Sequence, residues 1–253
     1  MTATLRSLLV LSLLMASGTA LSGEVRLAIA TNFHDAAERL AAQFTETTGH
    51  NSRISYGSTG KLYAQIHHGA PFDVFLAADE ERPRLLEEKG SGVPGTRFTY
   101  AVGQLVLWSP DPHAFEDPIA FLSNNDLRRL AIANPATAPY GLAAQQTLEH
   151  LGLWETLANR LVRGESIAQT FQFVATGNAK AGFVALAQLR DDQYSGARWD
   201  VPARNHDPIA QQAILLERGH DNEAARAWLD FLGSSEAQDI IRQYGYDMPQ
   251  ASD

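Results

Sequence analysis

The sequence predicts an α/β protein of two lobes, each a mostly parallel sheet flanked by helices, joined by strands that cross between them. Three observations carry this reading. From Glu24 to Gly90, apolar strand-like runs alternate with helical patterns in a βαβαβα order, which favours a parallel sheet covered on both faces. A second series of the same kind follows from Arg128. Between them runs "YAVGQLVLWSP" (Tyr100–Pro110), long and apolar, and no low-complexity linker separates the two series. Two series without a linker read as lobes sharing crossing strands. The expected division places 24–104 plus 206–253 in lobe 1 and 105–205 in lobe 2.

Each element has its own signal. "EVRLAIA" (Glu24–Ala30) is a strand. Ala36, Ala37, Leu40, Ala41 and Phe44 then recur at helical spacing, so Asp35 to Thr47 is a helix, stopped at Gly49, a natural C-cap. "NSRISYG" (Asn51–Gly57) alternates as a half-buried strand does. Ser58 to Gly69 is a helix with Leu62, Tyr63 and Ile66 on one face, "FDVFLAA" (Phe72–Ala78) a buried strand, and Asp79 to Gly90 a short polar helix. In the second series, Arg128–Pro135 and Arg160–Gly164 read as strands. Tyr140–Leu157 reads as a helix breaking near Gly152, Ser166–Ala179 as a helix, and Lys180–Leu189 as a strand running into a turn or helix. Ile209–Arg218 is a returning strand, and amphipathic helices over Asn222–Gly233 and Ser235–Tyr244 close the chain against the first lobe.

Charge and composition narrow the function. A formal net charge of −9 argues against nucleic-acid binding, which favours basic surfaces. The start, "MTATLRSLLVLSLLMASGTALSG", combines Arg6, a short apolar stretch and small residues, the pattern of a signal peptide over 1–22 cleaved near Ala20 to Ser22. The stretch is shorter than the roughly 20 residues that span a bilayer. Without Arg6, 19 basic residues face 29 acidic ones, so the mature charge is −10. There is no cysteine, hence no disulfide, thiolate site or thioether lipid anchor. The expected location is the periplasm, as a monomer without membrane insertion. His34 and the adjacent His67 and His68 lack ligand spacing, so no protein-bound metal is expected. No G-x-S-x-G elbow marks Ser58 or Ser166 as a nucleophile.

Four strand-to-helix turns carry neutral polar residues: Thr31-Asn32, Ser58-Thr59-Gly60, "NPATAPYG" (Asn134–Gly141) and "RGESIAQT" with Ser166 and Ile167. Taken singly, each is an ordinary helix cap. Converging, they would present helix N-termini, with their free N–H groups and positive dipole ends, to an anion. Ligands of open α/β sheets sit beyond the carboxyl ends of the strands, where these turns lie.

On the blocks "GSTGKLYAQI…GAPFDVFLAAD" and "NP…APYG", the whole mature chain resembles the periplasmic molybdate-binding proteins of ABC importers. The resemblance implies a hinged two-lobe fold of the periplasmic binding protein type that closes on molybdate, often also tungstate, and hands it to an inner-membrane ABC permease. It implies no enzyme activity and no cofactor. By position it places Thr31, Asn32 and Ser58 of the first lobe, and Tyr140 and the backbone N–H of Ile167 of the second, around the oxyanion. Many relatives carry a tyrosine where this chain has Ala185, whereas one branch uses a tyrosine at the place of Tyr140. Molybdate is a fully deprotonated dianion, so a site made of donors suits it, whereas monohydrogen phosphate needs an acceptor for its proton. Close N–H dipoles outweigh distant, screened surface charge, so the acidic balance is no obstacle. The alternatives are another oxyanion such as sulfate or phosphate, an iron-binding relative of the same fold, or an exported α/β hydrolase.

Overall fold

The computed structural model describes residues 22–190 and 194–249. All but the last residue of the expected leader lies outside them. The first lobe opens with β1 (Glu24–Ala30), a single 3-10 turn at Thr31–Phe33, and α1 (His34–Thr48). Helix α1 buries Ala36, Ala37, Leu40 and Phe44 and ends at Gly49, whose φ of 74° lets its N–H reach the Thr45 carbonyl. There follow β2 (Asn51–Gly57), α2 (Thr59–His67), β3 (Val74–Leu76), α3 (Glu81–Glu88) and β4 (Phe98–Gly103).

The chain then enters the second lobe through β5 (Leu105–Ser109), α4 (Pro118–Ser123), β6 (Leu130–Ala133), α5 (Pro139–His150) and α6 (Trp154–Leu157). It continues through β7 (Leu161–Gly164), α7 (Ile167–Ala175), β8 (Ala181–Ala185) and β9 (Ala197–Asp200). It returns as β10 (Ile209–Leu215), and α8 (Glu223–Leu232) and α9 (Ser235–Gln243) pack on the first lobe.

Two five-stranded sheets result, ordered β2-β1-β3-β10-β4 and β7-β6-β8-β5-β9. Both are mixed. β1 pairs in parallel with β2 and β3, and β6 with β7 and β8, while β10 and β5 pair antiparallel with their neighbours. The antiparallel strands are those through which the chain passes between lobes, so they meet each sheet from the other side. The long apolar run expected over Tyr100–Pro110 is two strands, because Gln104 separates β4 of the first sheet from β5 of the second.

Period-two alternation sorts β1 between two cores. Val25, Leu27 and Ile29 join Phe33, Phe44 and Trp228 under α1 and α8, while Ala28 faces Leu62, Phe75 and Leu86 under α2 and α3. In the second lobe Trp108 stacks on Phe171 of α7 at 5.3 Å. The sequence pattern missed α4 and β9. Helix α4 is only six residues long, started by Asp117, whose carboxylate accepts from the Ile119 and Ala120 N–H groups. Strand β9 is a short sheet edge with just Ala197 buried.

Candidate functional site

Four turns meet where the two lobes touch, each at the carboxyl end of a parallel strand: β1 and β2 in the first lobe, β6 and β7 in the second. Thr31, Asn32, Ser58 and Thr59 from one side, and Ala138, Pro139, Tyr140 and Ile167 from the other, line one small cavity. The five residues singled out from the sequence are therefore brought together.

Hydroxyls and backbone N–H groups supply donors to this cavity. Ser58 precedes α2 in the N-cap position, yet its side chain makes no capping bond. Its Oγ is buried and has no partner among the described residues. An unpaired buried hydroxyl costs on the order of 1–3 kcal/mol, which an incoming acceptor would recover. Tyr140 is 2% exposed, and burial raises its pKa well above the ordinary 10.0, so it stays a neutral hydroxyl. That hydroxyl accepts from Gln211 Nε2 at 3.4 Å and has no acceptor for its own proton among the described residues. Thr59 and Ile167 begin α2 and α7, and Tyr140 is the second residue of α5. Backbone N–H groups in a first helical turn have no intrahelical acceptor.

Asn32 departs from the simplest expectation. Its Nδ2 donates to Gln211 Oε1 at 2.8 Å and to the Tyr246 hydroxyl at 3.2 Å, so both amide protons are committed within the protein. Its backbone N–H is the donor left for the cavity. Gln211, Tyr246 and Tyr100 are thus part of the site's support, and sequence reasoning missed them. The only hint was a pair of adjacent glutamines in the otherwise apolar "IAQQAIL". Ser166, in the fourth turn, is an ordinary cap on Gln169 N–H at 3.3 Å. Ala185 is buried in the second-lobe core.

Among the described residues, no carboxylate lines the cavity. Asp35 is exposed and pairs with His34 at 2.7 Å, and Glu165 pairs with Lys61 at 2.7 Å. His67 and His68 are exposed, and no cluster of three or more metal-ligating side chains occurs among the described residues.

The lobes touch directly around the cavity. Gly60 N–H donates to the Thr137 carbonyl at 2.9 Å, Arg82 Nη2 donates to the Ala136 carbonyl at 3.1 Å, and the Lys61–Glu165 pair spans the same gap. A Cβ at Gly60 would stand 3.0 Å from Thr137 Cα, and one at Gly103 would stand 2.1 Å from the Tyr140 hydroxyl. Gly103 leaves no room for a side chain, and Gly60 lets the two backbones approach closely.

Comparison with known proteins gives a consistent result. The model of the bacterial extracellular solute-binding protein family matches residues 25–247. The chain is 50% identical over 229 residues to molybdate-binding protein ModA of Azotobacter vinelandii, covering 90% of this chain and 91% of that one. It is also 50% identical over 227 residues to molybdate-binding protein ModA of Rhodobacter capsulatus, covering 90% and 89%. The solved structure of the Azotobacter vinelandii periplasmic molybdate-binding protein superposes with a TM-score of 0.86 at 42% identity, over 89% of this chain and 100% of that one.

Proposed function

The chain belongs to the bacterial extracellular solute-binding proteins, and within them to the molybdate-binding group, and from this membership and the cleft geometry we propose that it captures molybdate for an ABC permease. The observation that carries the reading is a cavity between two lobes lined by hydrogen-bond donors, with the Ser58 hydroxyl buried and unpartnered. A tetrahedral dianion that only accepts hydrogen bonds satisfies such a lining. Helix N-termini from both lobes add positive partial charge without a cationic side chain. Monohydrogen phosphate would bring a proton to a cavity with no carboxylate to receive it.

In this reading Thr31, Asn32 and Ser58 hold the anion from the first lobe, Tyr140 and Ile167 from the second, and tungstate binds as molybdate does. The lobes divide at 104/105 and 205/206, a proposal supported by the passage from β4 to β5 and from β9 to β10 between sheets. The protein acts in the periplasm as a monomer after loss of its leader, and it needs no cofactor. The rival hydrolase reading requires a base beside the serine. Ser58 Oγ has no hydrogen-bond partner at all among the described residues.

Thermal melts and titration calorimetry with molybdate, tungstate, sulfate and inorganic phosphate test the proposal. A ligand specific to the folded state adds about 2.7 kcal/mol at a hundredfold excess over its Kd. Molybdate and tungstate are expected to raise Tm by several degrees and phosphate to do little. An equal shift with phosphate would overturn the assignment in favour of a general oxyanion carrier.

A further inference from the structure

Behind the cavity, four buried side chains form a hydrogen-bonded chain whose direction can be read from its far end. Tyr246, which follows α9, donates its hydroxyl proton to the Asn32 carbonyl at 2.6 Å. A carbonyl only accepts, so that proton is committed and the Tyr246 oxygen is left as an acceptor. The Asn32 amide nitrogen faces it at 3.2 Å. An amide oxygen in that place would set two acceptors against each other. The same nitrogen donates to Gln211 Oε1 at 2.8 Å, and the Tyr100 hydroxyl lies 3.2 Å from that oxygen. The Gln211 amide is thereby held with Nε2 toward Tyr140, to which it donates at 3.4 Å. With its oxygen accepting, Tyr140 has its proton free for the cavity it lines with Ser58.

The surroundings hold this chain in place. Gln211 is fully buried, at an irregularity of the β10–β4 ladder that leaves Tyr100 without a paired residue. Phe33 packs edge-on against Tyr100 and Tyr246, with ring centroids 4.9 and 5.2 Å away.

From this polarity we infer that Gln211 is a positioning residue for anion selectivity, holding the Tyr140 hydroxyl as a donor only, so that the second lobe offers a bound anion no acceptor for a proton. A hydroxyl free to turn can donate or accept, as Ser58 can from the first lobe, whereas the Tyr140 oxygen already accepts from Gln211 and turns its proton to the cavity. The inference rests on the oxyanion-binding reading above.

Titration calorimetry of the parent, Gln211→Met and Gln211→Glu with molybdate and with inorganic phosphate tests it. Methionine keeps the length of the side chain and removes the amide. Molybdate affinity is expected to fall by about tenfold, the value of one well-oriented bond to a charged group. The molybdate-to-phosphate ratio should narrow. Tyr140→Phe should cost less in the Gln211→Met background than in the parent, since coupled residues are not additive. Gln211→Glu replaces the donor with an acceptor that draws the Tyr140 proton inward, so its loss should be larger and should recover as falling pH protonates the carboxylate. A merely structural role would weaken both anions alike and leave the cost of Tyr140→Phe unchanged. That result, or unchanged affinities in both variants, overturns the inference. If circular dichroism shows Gln211→Met unfolded, Tyr246→Phe serves instead: it breaks the chain at its far end and should narrow the same ratio, and an unchanged ratio counts against the idea. A parent that takes up no molybdate sinks the functional reading and this inference together. A parent that binds it, with variants that keep full selectivity, sinks this inference alone.

Discussion

Ser58 and Ser166 occupy corresponding places in the two lobes. Each follows the edge strand of its sheet, β2 or β7, and each precedes a nine-residue helix, α2 or α7. The Ser166 hydroxyl accepts from Gln169 N–H, and the Gln169 side chain accepts in turn from Glu165 N–H at 2.7 Å. This is a close variant of the reciprocal capping box, in which a serine and a Gln or Glu three residues on satisfy one another's backbone. At the corresponding position after Ser58 stands Lys61, which cannot accept a hydrogen bond and reaches across the cleft to Glu165 instead. Ser58 is left without a capping bond, buried and unpartnered. The contrast teaches that a cap-type residue matters for binding when its helix does not use it.

The largest expected effect is the split between the two serines. Ser58→Ala removes a donor to a buried dianion, worth about 1.5–3 kcal/mol, so calorimetry should show molybdate bound roughly one to two decades more weakly. Tyr140→Phe should fall in the same range. Ser166→Ala should leave the Kd within about a factor of two while costing about 1 kcal/mol of stability in urea denaturation, the usual value of a lost cap. Equal losses of affinity from both serines would erase the distinction drawn here.

Gly60→Ala sharpens the comparison within the Ser58 turn. The added methyl would stand 3.0 Å from Thr137 Cα and hold the lobes apart. Overpacking of this kind costs on the order of 1–3 kcal/mol, so affinity should drop about tenfold. Gly60 stands in the first turn of α2, where alanine adds less than the roughly 0.8–1 kcal/mol it is worth in a helix interior, so Tm of the ligand-free protein should change little. A variant that loses stability without losing affinity would contradict the contact.

Lys61→Met cuts the ion pair between the two turns. Both side chains are at least half exposed. Such pairs are worth about 0–1 kcal/mol and are screened by salt, so the loss of affinity should be under about fivefold and should vanish in concentrated salt. A large, salt-independent loss would assign Lys61 to the anion itself. The smallest effect concerns pH. Binding needs the protonated Tyr140 hydroxyl, which is lost only as pH rises through its folded-state pKa, and burial holds that value above the ordinary 10.0. Calorimetric affinity should therefore stay level through alkaline pH up to about 10. A decline centred below that pH would mean that Tyr140 is not held as argued.

Much of the fold was legible. The strands at Glu24–Ala30 and Asn51–Gly57 occur with the bounds read from alternation and apolar runs, because burial on one or two faces writes itself directly into the residue pattern. The passage between lobes was legible as apolar length but not as two strands, since the break at Gln104 is set by which sheet each half joins. The five residues line one cavity, yet the place of Asn32 in it did not follow from its type: both its amide protons are engaged elsewhere. Gln211 looked like a polar interruption of a strand and is the hub behind the cavity.

By itself, the sequence determined the alternation of strands and helices, the neutral polar turns at the strand ends and the lack of a carboxylate among the residues expected to bind. These depend on neighbours within a turn or a strand, where periodicity, capping and charge are local properties. Only the tertiary structure decided that the Ser58 hydroxyl goes unused by its helix, that both Asn32 amide protons are engaged within the protein and that the Tyr140 proton is free for the cavity. The last two outcomes depend on partners 71, 179 and 214 residues away in the chain, Gln211 and Tyr246. A hydrogen bond's direction is settled by the groups that folding sets against it, and no local pattern names them.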